Sequence, residues 1–205
     1  MKKKIIVLTS IVLAAVIGVT VYVRFISFGD AGAGSYSLEV TEESGYKGVV
    51  TVYDGTGEAA FKWYSPDEYI VAGSLESNAE TFAVVTLSEA GCRFRVFDLM
   101  NPVLENDEYV CYENGSYTGT ETMYYEIGYL SRNRIFAIAA DRATVFDASA
   151  KIFSEYKITD GYWTGYTAEN GKLTLTQAKY SVGESTGTVK FDGSQWLESS
   201  TADEQ

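Results

Sequence analysis

The sequence predicts an all-β domain of about three to four repeated four-stranded units, preceded by one membrane-spanning helix. Three observations lead there. The segment from Ile5 to Val23 runs nineteen residues without a charge. From about Ser35 onward, apolar and β-branched runs of five to eight residues alternate with turn residues, without helical periodicity. Within these runs, a strand ending in an aromatic residue followed by aspartate recurs four times, at Asp54, Asp98, Asp147 and Asp192, spaced by 44, 49 and 45 residues.

The apolar segment comes first in the chain. At about 1.5 Å per residue, residues 5–23 nearly cross a hydrocarbon core of about 30 Å. Lys2, Lys3 and Lys4 precede it and Arg24 alone follows it, which predicts an N-in, C-out orientation. Tyr22 and Phe25 stand where interfacial aromatics are expected. A cleaved signal peptide would have a shorter apolar region with its small-residue site close behind. Ala31-Gly32-Ala33 has the right residues but follows the apolar run at a distance. The expectation is therefore an uncleaved, single-pass anchor in the cell membrane. Residues 1–4 form its cytoplasmic end, 5–23 the bilayer-spanning helix and 24–34 a Gly-rich tether. An extracytoplasmic domain spans 35–198, and 199–205 form an acidic tail.

Charge and residue usage remove several classes of chemistry. The chain has 205 residues, and residues 30–205 carry 12 basic and 28 acidic side chains, a net of −16. That surface repels phosphate backbones, so nucleic acid is excluded as a partner. Histidine is absent. Ser-His-Asp hydrolysis, Cys-His transpeptidation and His-bearing zinc sites go with it.

Residues 48–54, 69–72, 81–87, 94–98, 125–130, 134–140, 144–147, 151–153, 172–176 and 188–192 are the clearest strands, among about fourteen candidates. Asp54-Gly55, Asn170-Gly171 and Asp192-Gly193 supply turn chemistry. Two strands precede each of the last three aromatic-Asp copies. One more follows each of the first three, beginning near Phe61, Glu108 and Ile152. Four strands at a period in the mid-forties form a propeller blade, which has two faces to cover and so stacks on its neighbours. Residues 82–87 and 135–140 are apolar on both faces, as such stacking demands.

The segments SLESNAETFAVVTL (residues 74–87), FRVFDL (94–99) and LSRNRIFAIAAD (130–141) carry a likeness over residues 46–196. The chain resembles WD40- and PQQ-type repeats. As a whole it is similar to a family of bacterial membrane-anchored β-propeller proteins of unknown function. The resemblance implies a short or partial propeller and a binding scaffold, with no catalytic residues or cofactor to carry over. Complete propellers have sixteen or more strands, so three outcomes stay open: a compact ring of about four blades, an open stack, or a fragment or shortened relative of a longer propeller. A structural subunit that completes its ring with another chain would have an unpaired edge near residues 46–54 or 186–192, through which oligomers form.

The side chains capable of chemistry also have structural readings. Asp54, Asp98, Asp147 and Asp192 either line one rim as cation ligands or cap the turns they precede. None lies in an Asp-x-Asp-x-Asp-Gly calcium loop, which favours capping. Cys92 and Cys111 are symmetric about Asn101-Pro102. A hairpin centred there puts them opposite one another for a disulfide, and the alternative is two buried thiols. Trp63, Tyr64, Tyr124, Tyr125, Tyr162, Trp163, Tyr166 and Trp196 either fill the space between blades or form a platform. Tyr162, Trp163 and Tyr166 are the preferred ligand platform. The acid pairs Glu42-Glu43 and Asp107-Glu108 would serve glycoside hydrolysis only if two carboxylates converged in a cleft.

The expected function is a non-enzymatic, membrane-tethered binding domain for an envelope protein or a cell-wall glycan. The alternatives are a wall hydrolase or quinone-cofactor propeller enzyme, and a structural subunit.

Overall fold

A computed structural model describes residues 36–76, 79–105, 108–117, 124–180 and 185–200. Within them the protein is all-β, in four main antiparallel sheets of three to four strands. The apolar segment 5–23, the tether 24–34 and the last five residues lie outside the described residues. Among the described residues no helix is long and apolar enough to cross a membrane.

The first sheet is β1 (Ser37–Glu43), β2 (Tyr46–Tyr53) and β3 (Ala59–Ser65). The second runs β4 (Tyr69–Ser74), β5 (Thr81–Ser88), β6 (Gly91–Asp98) and β9 (Cys111–Tyr117), with a small hairpin, β7 (Leu104–Glu105) and β8 (Glu108–Tyr109), inserted before its last strand. The third runs β10 (Tyr124–Ser131), β11 (Arg134–Ala139), β12 (Arg142–Asp147) and β13 (Ile152–Lys157). The fourth runs β14 (Tyr162–Glu169), β15 (Lys172–Ala178), β16 (Ser185–Phe191) and β17 (Trp196–Ser200). Each sheet is a meander, in the arrangement of a partial β-propeller.

Three apolar cores join the four sheets in order. Val50, Val52, Phe61 and Trp63 of the first sheet meet Ile70, Phe82, Val84 and Phe97 of the second. The Phe82 and Phe97 rings stack there at 4.9 Å, with Phe61 edge-on to both. Val85, Phe94 and Val96 meet Tyr124, Ile135 and Phe146 between the second and third sheets. Phe136, Ile138 and Val145 meet Leu173, Leu175 and Phe191 between the third and fourth. β5 and β11 feed a core from each face, since adjacent side chains point to opposite sides of a sheet. That is why both read as unbroken apolar runs. Each fully buried Leu, Val or Phe contributes about 1.5–3 kcal/mol.

The two outer faces of the stack are polar. On the fourth sheet, Thr174 opposes Lys190 and Thr188 opposes Ser199, with Thr176 beside them. On the first, Glu39 and Lys62 flank Thr51. The Tyr53 hydroxyl donates to Glu39 at 2.8 Å and Lys62 Nζ to Glu43 at 2.6 Å. Stacked repeats need hydrated ends of this kind. The strands expected to carry an open edge are interior instead. β2 is paired on both sides by β1 and β3, and β16 by β15 and β17. The fourth strand expected near Glu108 starts at Cys111, because β7 and β8 occupy the intervening residues.

The recurring aspartates all cap turns. Asp54 Oδ1 accepts from Thr56 N at 2.8 Å and Glu58 N at 3.1 Å. Asp98 Oδ1 accepts from Met100 N and Asn101 N, both at 2.9 Å. Asp147 Oδ1 accepts from Ser149 N and Ala150 N. Asp192 Oδ1 accepts from Ser194 N and Gln195 N. With two backbone N–H groups on one oxygen, each carboxylate replaces the turn's missing partners.

The cysteine pairing drawn from a hairpin centred on Asn101-Pro102 does not occur. Both cysteines are free. Insertion of β7 and β8 moves the centre, so Cys92 lies opposite Tyr117 and Cys111 opposite Phe97. Cys92 packs in the core toward the third sheet and Cys111 in the core toward the first. They face opposite sides of one sheet, out of reach of the Cα spacing a disulfide needs.

Candidate functional site

The first strand of each four-stranded sheet carries a register shift near its start. It falls between Ile70 and Ala72 in β4, between Tyr124 and Glu126 in β10, and between Trp163 and Gly165 in β14. Each is a bulge, one extra residue that bends the strand and re-aims its neighbours. The extra residues are Val71, Tyr125 and Thr164.

Two of these bulges flank a cleft of about 210 Å³ between the third and fourth sheets. Tyr125, Trp163, Thr164, Gly165 and Tyr166 line it, above Ile138 and Leu175. The bulge at Thr164 puts Trp163, opposite Gln177, and Tyr166, opposite Leu175, on the same face of β14. The bulge at Tyr125 turns Glu126 to the Ile138 side of β10, toward the fourth sheet.

The floor is fixed by packing. Trp163 is half-buried, and its indole N–H donates to the Ala139 carbonyl at 3.1 Å. Tyr166 lies 5.8 Å from the Phe136 ring, with Glu126 close enough for its charge to act on the hydroxyl. Burial, then the nearby Glu126 charge, pushes the Tyr166 hydroxyl up to about 12, so it stays a donor at neutral pH. Burial also raises Glu126, with Tyr166 pulling it partly back. Burial raises Tyr125 likewise. The arrangement offers aromatic ring faces and the hydroxyls of Tyr125 and Tyr166 to a small ligand group.

The expected platform therefore divides. Trp163 and Tyr166 share the cleft, whereas Tyr162 faces the other side of β14 and pairs with Tyr180 at 5.7 Å. Trp63, Tyr124 and Trp196 are filler between sheets. The Trp63 ring lies under the Arg95 guanidinium at 5.3 Å. Of the acid pairs, Glu43 is taken by Lys62, and Asp107 lies outside the described residues. Among the described residues no group of three His, Cys, Asp or Glu side chains forms a metal-holding cluster. Sequence reasoning missed Glu126 and Thr164, whose roles come from register alone.

No family model matches the chain, and no curated protein matches it. Among solved structures it is similar to the N-terminal domain of Nup159, at 10% identity and a TM-score of 0.41, covering 80% of this chain and 40% of that one. It is also similar to dihydro-heme d1 dehydrogenase NirN in complex with DHE, at 14% identity and a TM-score of 0.44, covering 85% of this chain and 36% of that one. The chain thus spans less than half the length of either structure.

Proposed function

We propose that the protein is a membrane-tethered, extracytoplasmic binding domain, non-enzymatic, that engages an envelope protein or cell-wall glycan through the cleft between its third and fourth sheets. The observation that carries this reading is the pair of bulges bringing Tyr125, Trp163 and Tyr166 to one cleft. Its 210 Å³ falls under the about 300–1,000 Å³ of a pocket for a cofactor-sized ligand. That supports binding of a protruding side chain or sugar ring over the quinone-cofactor reading. The polar end faces support a self-contained stack over a ring completed by another chain. The anchor at residues 5–23 would present this cleft at the membrane surface.

The test is a titration of the protein with soluble wall-glycan fragments and with basic peptides, for the wild type and for Tyr125→Ala. Binding by either class that Tyr125→Ala weakens supports the cleft. Binding that Tyr125→Ala leaves unchanged places the ligand elsewhere.

A further inference from the structure

In each four-stranded sheet the turn aspartate marks the end of the third strand. Asp98 ends β6, Asp147 ends β12 and Asp192 follows β16. In the first sheet Asp54 follows β2, which is only the second strand. β1, β2 and β3 therefore hold the second, third and fourth positions of the repeat. The opening strands of the complete sheets neighbour one another in order, β4 beside β10 and β10 beside β14. On its other side β4 meets β1 and β2 instead.

The result is a free edge on β1. Among the described residues β1 pairs with β2 alone, so the backbone groups of Ser37–Glu43 that point away from β2 have no ladder partner. Leu38 and Val40 pack against the core shared with the second sheet, yet both are only half-buried. Their partners on β2, Val52 and Val50, are fully buried. Beside Leu38 on β4 stands the exposed Gly73, where a Cβ would lie 3.0 Å from Leu38 Cδ2. The end faces of the stack are polar, so the open feature is this edge and not a face.

Backbone is what fills such an edge, since an added strand continues the hydrogen-bond ladder and a glycan does not. Side chains then select the sequence. β1 carries Glu39, Glu42 and Glu43. Antiparallel pairing of β1 with β1 of a second copy would set these glutamates near one another, which is unfavourable. Residues 30–205 add a net charge of −16. Both terms favour a strand in which basic residues alternate with apolar ones.

We propose that the free edge of β1 takes up an extended segment of a partner protein, antiparallel to β1, with apolar side chains beside Leu38 and Val40 and basic ones beside the glutamates. This surface is separate from the cleft between the third and fourth sheets.

The test uses the full chain in neutral detergent micelles and a capped seven-residue peptide of alternating lysine and valine. Amide hydrogen exchange is followed residue by residue along β1. Millimolar peptide slows the outward-facing amides of residues 37–43 about tenfold, in wild type and in Tyr125→Ala alike. The same peptide with every backbone nitrogen methylated keeps its charge and gives no protection. Glu39→Gln combined with Glu42→Gln weakens binding about fivefold. The first of these substitutions keeps an acceptor for the Tyr53 hydroxyl, and an unchanged near-ultraviolet circular dichroism spectrum verifies the fold. No slowing along β1, or equal slowing by the methylated peptide, overturns the proposal. So does a β1 edge already protected before peptide is added, and light scattering then tells pairing between copies from pairing within one chain. Protection that Tyr125→Ala removes assigns the peptide to the cleft and overturns the assignment to β1.

Discussion

Trp163 and Tyr166 stand three positions apart on one strand yet face the same way, because the bulge at Thr164 adds one residue between them. A regular strand would turn one of them to the opposite face. Deleting Thr164 restores strict alternation and unseats either the Trp163 indole or the Tyr166 ring. The expected result is a loss of about 3 kcal/mol, by analogy with removal of a packed aromatic ring, and loss of the cleft. Urea unfolding and near-ultraviolet circular dichroism measure both. An unchanged midpoint and spectrum would refute the role given to the bulge.

Two glycines of the same strand region should respond in opposite ways. A Cβ at Gly161 would stand 2.3 Å from the Ala178 carbonyl oxygen, on a backbone with φ +155°. Gly161→Ala is expected to destabilise by about 1–3 kcal/mol. A Cβ at Gly165 meets nothing within 4 Å. Gly165→Ala should change stability by no more than about 0.5 kcal/mol. Thermal denaturation of the two variants side by side decides the point.

The turn aspartates predict an acid-sensitive fold. The hydroxyl and backbone N–H of Thr56 hold Asp54 below the usual carboxylate range, and the Gln195 and Ser194 N–H groups do the same for Asp192. Burial works to raise Asp147, but Arg134 and the N–H groups of Ala150 and Ser149 outweigh it. A carboxylate with a depressed folded pKa stabilises fully above its unfolded value near 3.9, and loses that contribution as pH falls through the folded value. Stability should therefore drop below about pH 4, and Asp147→Asn should flatten the drop. Denaturant midpoints measured from pH 6 to pH 2 in both proteins give the comparison.

The thiols should be silent while the protein is folded. Burial, then the Glu113 charge, raises Cys111 to about 12, and burial raises Cys92 as well. The thiolate is the reactive form, so a disulfide-exchange reagent at pH 8 should label neither cysteine in native protein and both in urea. Reductant should leave the melting temperature where it was. An intramolecular disulfide formed without unfolding would show that the two faces of the second sheet are not as described.

Arg95 is nearly buried and bridges Glu68 at 3.0 Å and Glu113 at 3.3 Å above the Trp63 ring. Arg95→Ala should cost about 3–5 kcal/mol, much of it from the carboxylate left behind. Arg95→Met combined with Glu68→Leu should recover most of the loss. A double variant as unstable as the single one would place the cost in the cation–ring contact instead.

The sequence by itself determined what local chemistry decides. Alternation and β-branched runs marked the strands. The apolar reading of β5 and β11 on both faces marked them as interior to a stack. The aspartates after Tyr53, Phe97, Phe146 and Phe191 marked the turns, since an Asx cap needs only its own next few residues. The spacing of those aspartates set the repeat. Other features depend on residues far apart in the chain, and only the tertiary structure decided them. Bulges at Tyr125 and Thr164 exist because packing between sheets chooses which side chains face inward, and a period of two cannot show one inserted residue. The β7–β8 insertion moved the cysteines to opposite faces by the same logic of register. Glu126 reads as an ordinary strand acid until Tyr166, forty residues later, is laid against it.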